Sequence, residues 1–498
     1  MKRVFYSLWV GIFFVLILGI TAQGAEKKPG PNMTNMSKQT KRCLDCHENS
    51  TPGIVEDWYA SLHSETTPQM ALKKDKLTRR MSTDSVNGNL SEFIVGCYEC
   101  HGLNVDKHED SFNHFGLKIN VVVSPQDCST CHPVEVKEYV PSKKGYAYSN
   151  LEKNPVYKTL VKSVISLKEI SDEKVVPLEV SESTRMDTCY GCHGTEVKVN
   201  GKKRVSSGPL NITVPNLLNW PNQGVGRLNP DGSQGSCSAC HPRHSFSIDI
   251  ARKPYTCAQC HLEPDVPAWN VFKESKHANI YSSKKEYWNF NNVPWVLGRD
   301  FKAPTCATCH NSLITSPNGN VITSRTHDFG GRLWARIFGL VYSHPQPKSG
   351  DTSIIKNKDE LPLPTDFTGN PAVEFLIDEN EQKTRKAEMM KVCSACHSTN
   401  WTENHFAKLD STIKETDQMV LNATLLLTKA WEKNLADNNN PFDETIEHYW
   451  IVQWLFYANS IRYASAMTGA PDYATFKNGW WEMTKNLKNM EDWINLHK

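Results

Sequence analysis

Sixteen cysteines, and the way they are spaced, constrain this 498-residue chain more than any other feature. They fall as eight C-x-x-C-H units with none left over. The units are Cys43/Cys46/His47, Cys97/Cys100/His101, Cys128/Cys131/His132, Cys189/Cys192/His193, Cys237/Cys240/His241, Cys257/Cys260/His261, Cys306/Cys309/His310 and Cys393/Cys396/His397. Two cysteines one helical turn apart can each form a thioether to a haem vinyl group. The histidine that follows then points its imidazole at the iron, so C-x-x-C-H reads as the attachment motif of haem c. Disulfides would not call for a histidine after every second cysteine. Zinc sites need two C-x-x-C pairs per metal or a distant histidine pair. The pattern therefore predicts eight covalently bound haems.

One haem per roughly sixty residues leaves little interior for continuous sheets, because much of the core is then porphyrin. The expected fold is mainly α: a multihaem cytochrome c with short helices and long ordered loops around eight haems. The gaps between motifs run from 20 residues (Cys237 to Cys257) to 87 (Cys306 to Cys393), so no simple repeat is present.

The N-terminus, MKRVFYSLWVGIFFVLILGITAQGAEKK, has a basic start at Lys2 and Arg3, an apolar run and small residues at 22–25. It reads as a secretory signal over 1–24, with a retained membrane anchor as the alternative; either way the chain is exported. Lysine and arginine total 56 against 54 acidic residues, so the charge balance points to no nucleic-acid partner.

Eight of the 18 histidines belong to motifs. Of the other ten, His497 lies beside the C-terminus and reads as surface. A haem with two histidines is closed to substrate and only carries electrons. Candidates for the second ligand are His63, His108, His114, His244, His277, His327 and His405, with His344 and His448 in reserve. His244 follows its own motif too closely to reach back to the same iron, so it is expected to cap a neighbouring haem.

After His397 no cysteine occurs. Phe406, Leu409, Ile413, Val420, Leu427 and Trp431 recur at helical spacing. A second helix is expected from Asp443 as N-cap to about Met467, and a third from about Thr475 to Leu496. The expected organisation is an octahaem domain over 25–400 and a C-terminal three-helix bundle over 401–498, rich in tryptophan and suited to oligomerisation.

Eight motifs followed by a cysteine-free helical tail resemble the octahaem hydroxylamine oxidoreductase family, whose members include hydrazine-oxidising and nitrite-reducing relatives. The likeness is sharpest in QGVGRLNPDGSQGSCSACHPRHSF (223–246), CAQCHLEPDVPAWNVFKESKH (257–277) and YSHPQP (342–347), and continues through NHFAKLD (404–410) to DYATFKNGWWE (472–482). The resemblance implies seven bis-histidine haems and one five-coordinate catalytic haem at the fourth motif, Cys189/Cys192/His193. It implies a homotrimer, and in oxidative members a tyrosine of a neighbouring subunit joined covalently to the catalytic haem; Tyr473 takes that place here, with Tyr463 as fallback. It also implies an Asp-His pair after the sixth motif and a further tyrosine. Asp265 and Tyr342 match, but the histidine position is Val266.

The function so implied is oxidation of hydroxylamine or hydrazine at one open haem. Asp265 accepts protons, Tyr342 orients the small nitrogen substrate, and electrons pass through seven closed haems to an external cytochrome. Val266 removes a candidate proton acceptor and makes room for a nitrite or nitric oxide reductase on the same scaffold. An electron wire with every haem closed is the remaining reading.

Overall fold

The structure is a computed structural model that describes residues 31–207 and 210–497. The predicted leader therefore lies outside the described residues. No helix among the described residues is long and apolar enough to cross a membrane. Helix predominates, as expected, and most helices before residue 379 span ten residues or fewer. Three motifs are themselves single helical turns, Cys97–His101, Cys189–His193 and Cys306–His310. A turn of this kind sets the two sulfurs and the imidazole on one side.

Strands among the described residues form four two-stranded sheets and one three-stranded sheet, and most are five residues or fewer. The longest hairpin pairs Lys198–Ser207 with Leu210–Leu218 directly after the fourth motif. Sequence periodicity did not single it out. A smaller pair, Ala335–Arg336 with His344–Pro345, sets Arg336 directly opposite His344.

The C-terminal helices are long. Ser398 caps Thr399–Glu432 by accepting from the Trp401 amide. Along it Phe406, Leu409, Thr416, Val420, Ala423, Leu427 and Ala430 are buried at spacings of three, four and seven, the stripe that packs against a neighbouring helix. The second helix begins at Thr445 rather than at Asp443. The Glu447 carboxylate collects the Asp443 and Glu444 amides at 2.9 Å each, so the cap sits one residue later than expected. This helix runs on to Ala466 through a π-helical stretch, Gln453–Ala458. The third helix starts at Trp480, not Thr475. Pro471–Thr475 forms its own short helix, and the chain turns so tightly afterwards that a Cβ on Gly479 would stand 2.3 Å from the Ala474 carbonyl oxygen. The core of these helices also takes in Leu340, Val341, Tyr342 and Leu363 from the preceding loops.

Candidate functional site: the histidine pairs and the fourth motif

Three motif histidines face a second histidine across a gap. Ring centres are 6.2 Å apart for His47 and His114, 6.4 Å for His132 and His63, and 6.1 Å for His397 and His277. Two metal–nitrogen bonds of about 2 Å, plus roughly 1 Å from each ring nitrogen to its ring centre, put two trans imidazoles about 6 Å apart. The pairs thus have the separation that one iron between them demands. His244 lies close enough to His101, and His327 to His241, for each to feel the other's charge. Burial pushes the imidazoles of His63, His244 and His327 down to about 4, which keeps them neutral and able to ligate.

The rings are also oriented from behind. The Nδ1 atoms of His101, His193 and His310 face the carbonyls of Asn120 at 2.8 Å, Ala147 at 3.2 Å and Phe329 at 3.3 Å, and His47 Nδ1 lies 2.9 Å from the Thr51 hydroxyl. A carbonyl behind Nδ1 fixes the proton there and leaves Nε2 free for metal. All sixteen cysteines are free of disulfides. The residues present fit haem c.

The other histidines sort by their surroundings. His344 Nδ1 lies 2.7 Å from the Pro345 carbonyl, while its Nε2 is buried with no hydrogen-bond partner, as is Nδ1 of His405. His108, a first-choice ligand by sequence, is held differently. Its Nδ1 is 3.2 Å from Asp110 and its Nε2 is 3.3 Å from Asp127, so neither nitrogen is left for a metal. His448 and His497 are exposed.

The cysteines outline how the motifs succeed one another in space. Sulfurs meet between Cys43 and Cys97, Cys128 and Cys237, Cys192 and Cys260, and Cys257 and Cys306. Cys100 and Cys131, Cys240 and Cys257, and Cys309 and Cys393 lie within charge range. The motifs therefore run one, two, three, five, six, seven, eight, and the fourth branches from the sixth.

Cys46 is the less enclosed sulfur of the first motif. It is exposed, as is Cys396, while the other fourteen cysteines are half-buried. The reason is its place on the helix Lys38–Ser50, which buries Thr40 and Leu44. At about 100° per residue Cys46 falls on the opposite face from those two, and Cys43 and His47 fall nearer the buried side. The two exposed sulfurs belong to the first and eighth motifs, the two ends of the succession, where no further motif lies beyond to cover them.

At the branch the backbone is packed to its limit. A Cβ on Gly224 would lie 2.1 Å from the Gly194 nitrogen, so only glycine lets this strand press against the end of the fourth motif. The Gly226 amide donates to the His193 carbonyl at 3.0 Å. The charges of Lys144 and Arg336 both act on His193, whose imidazole burial pushes down to about 4. Lys144 Nζ also lies 2.7 Å from His261 Nε2, where the fourth and sixth motifs meet. Arg336 Nε donates to the Phe338 carbonyl at 2.9 Å, and its guanidinium lies over the Phe338 ring.

Asp265 belongs to this corner. Its charge reaches Cys189 and Cys192, and burial raises its carboxyl above the usual carboxylate range. Asn459, one residue past the π-helical stretch, donates to the Asp265 carbonyl at 3.0 Å and so pins the segment after the sixth motif to the C-terminal helix. Val266 packs in an apolar cluster with Tyr463 and Tyr473. Tyr463 stacks on Phe338 at 5.9 Å, and its phenol is raised by burial, with Arg336 and Asp265 acting on it in opposite senses.

Tyr342 sits away from this corner. The Tyr342 hydroxyl donates to the Phe367 carbonyl at 2.9 Å and lies 3.1 Å from Thr424, inside the C-terminal core. Tyr473 is 4% exposed, with its hydroxyl 3.2 Å from Glu263 of the same chain. Sequence reasoning missed Lys144, Arg336 and Asn459. Each stands far in the chain from the motif it serves, with no local pattern to mark it.

Comparison with known proteins agrees with this architecture. A family model described as "Seven times multi-haem cytochrome CxxCH" matches residues 228–328, and one for cytochrome c554 and c-prime matches 37–118 and 127–210. A probable nitrite reductase-hydroxylamine oxidoreductase fusion protein of Kuenenia stuttgartiensis is 25% identical over 411 residues. That match takes in 80% of this chain but only 38% of the relative's length. A solved structure titled hypothetical multiheme protein is 43% identical, covers 93% of this chain and 96% of its own, and superposes with a TM-score of 0.88. The reducing HAO-like protein complex of the same Kuenenia shares the fold at TM-score 0.58 and 17% identity, over 92% of this chain and 85% of its own. The chain belongs to the multihaem c-type cytochromes.

Proposed function

We propose that the eight motifs hold eight haems and that seven of the irons are closed by His63, His114, His244, His277, His327, His344 and His405. His193 would hold the eighth haem, which no second histidine closes, and this site takes a small nitrogen oxyanion, nitrite above all, for reduction. The observation that carries the reading is the positive charge where the fourth and sixth motifs meet: Lys144 Nζ lies 2.7 Å from His261 Nε2, and the charges of Lys144 and Arg336 both act on His193. Hydroxylamine and hydrazine are neutral or cationic and gain nothing from such a field, whereas nitrite is an anion.

An open haem iron supplies a binding position and electron exchange when bound. Lys144 and Arg336 draw the anion in and hold its charge. Asp265, whose carboxyl burial raises, is the acid placed to pass a proton to a departing oxygen, which nitrite reduction requires. Val266 leaves no imidazole beside it to collect the protons that oxidation releases. The oxidative reading draws its support from the family resemblance and from Tyr473. That phenol would have to leave Glu263 to reach a neighbouring subunit in a homotrimer. An external redox cytochrome is the proposed electron partner, met in an exported compartment.

Steady-state turnover with artificial electron carriers tests this. Wild type is expected to reduce nitrite, and Arg336→Gln to raise KM about tenfold with a smaller change in kcat. Val266→His is expected to raise hydroxylamine oxidation by up to about a hundredfold. Fast hydroxylamine oxidation by wild type with no nitrite turnover overturns the direction. A ferric spectrum without any five-coordinate, high-spin iron overturns the open site.

A further inference from the structure

The histidine that sequence offered as a ligand and the structure withheld stands in the most thoroughly buried ionic cluster of the described residues. His108 faces Asp110 at 3.2 Å, Asp127 at 3.2 Å and Asp231 at 3.9 Å. The four side chains are 0–2% exposed. Burial alone would lower the imidazole, but the hydrogen bonds to Asp110 and Asp127, with Asp231 adding its charge, raise it to about 10. Three carboxylates around one imidazolium leave an excess of two negative charges.

That excess is stabilised by donors. Asp110 Oδ2 accepts from the Val121 amide at 2.9 Å and the Val122 amide at 2.7 Å. Asp127 accepts from the Ser124 amide and from Asn104, both at 2.9 Å. Asp231 accepts from the Ser124 hydroxyl at 2.5 Å and from the Ser233 amide and hydroxyl at 3.0 and 2.6 Å. A fully bonded cluster of this kind keeps its charge instead of shedding it.

The cluster is wired to a motif histidine. His101 Nδ1 faces the Asn120 carbonyl at 2.8 Å, and the next two amides, 121 and 122, are those held by Asp110. The peptide run 120–122 thus joins the carboxylate to the back of the imidazole. Asp127 immediately precedes Cys128 and acts on Cys100, so the third motif feels the same charge.

We propose that the His108–Asp110–Asp127–Asp231 cluster is an electrostatic cage that holds the second-motif iron, and to a lesser degree the third, at low potential, so that electrons leave this stretch of the relay for its neighbours. Negative charge behind a ligand favours the ferric state. Asp110 and Asp127 are positioning residues that act through His101 and Cys128. The proposal rests on the haem reading of these motifs and is independent of the substrate.

Redox titration of the whole protein tests it, after haem content by pyridine haemochrome shows all motifs loaded. Asp110→Asn is expected to raise one midpoint by about tenfold in the ferric-to-ferrous ratio, or about 59 mV for one electron. Asp231→Asn, farther from His101, should raise the same midpoint less, and Asp231→Glu should leave it near wild type. Should Asp110→Asn fail to fold, the two Asp231 variants decide the matter. Unchanged midpoints in fully loaded Asp231→Asn, an equal shift of all eight, or Asp231→Glu matching Asp231→Asn would each overturn the cage. A low haem count in wild type would instead overturn the haem reading beneath it.

Discussion

The body of the molecule and its C-terminal helices are built on different physics. The largest apolar cluster has eighteen buried residues, fourteen of them from the stretch after residue 399. The clusters before that point hold seven, five or three residues. The body spends its interior on paired imidazoles, sulfurs and hydrogen-bonded polar groups, so its cohesion comes from the groups it binds. The tail closes on Leu427, Ile446, Trp450, Trp454 and Met490, none more than 1% exposed, so its cohesion comes from apolar burial. A chain can therefore carry many redox centres and keep a stable platform, provided the platform is a separate stretch of sequence with its own apolar stripe.

The largest test of this contrast is to withhold haem. In chain produced without haem attachment, residues 31–397 are expected to lose hydrogen-exchange protection, while 417–496 keep helical protection. Uniform loss in both regions would break the comparison. Next in size is a cavity in the tail. Leu427→Ala, at a fully buried position, should cost about 2–5 kcal/mol of tail stability and leave the haem spectrum of the folded protein unchanged. A shifted haem spectrum would show that the tail sets the geometry of the body.

A third test reads the tail through pH. Burial raises the Glu447 carboxyl from an ordinary 4.5 to about 7, outweighing the backbone and Trp431 donors that lower it. The folded state then holds this proton more tightly than the unfolded chain does. Its stability contribution is full below about pH 4.5 and is lost as pH rises through 7, by about 2 kcal/mol. Glu447→Gln should flatten that slope in thermal melts at pH 5 and pH 8; an unaltered slope would place the titration elsewhere. The smallest expected change separates ligand from bystander. His244→Met should shift one haem potential, while His448→Ala, at an exposed position, should shift none and change stability by less than about 0.5 kcal/mol.

The attachment chemistry was legible in the sequence because C-x-x-C-H is complete within five residues. How enclosed each sulfur is was not, since Cys46 and Cys43 share one motif and differ only in the helix face that packing covers. The tail was legible because an amphipathic helix states its buried face every three or four residues; only its boundaries moved, where Glu447 and Gly479 shape the ends. Asp265 could be located because it follows the sixth motif by a few residues, and the structure sets it against the cysteines of the fourth.

What surrounds each histidine is another matter. His108 and His344 are the same residue type in equally unremarkable stretches, and the sequence ranked His108 first. Tertiary structure surrounds one with three carboxylates and leaves the other an unpartnered buried nitrogen. Tyr342 matches a family position, yet its hydroxyl turns to Thr424, 82 residues away. The charges of Lys144 and Arg336 both act on His193, from residues that lie on opposite sides of it in the chain. By itself the sequence determined what is bound covalently and which stretch folds on apolar contacts, because both are written in neighbours along the chain. Only the tertiary structure decided which histidines face one another and what charge surrounds His193, because an imidazole or an ammonium acquires its role from groups that folding brings to within about 4 Å, and no local pattern records them.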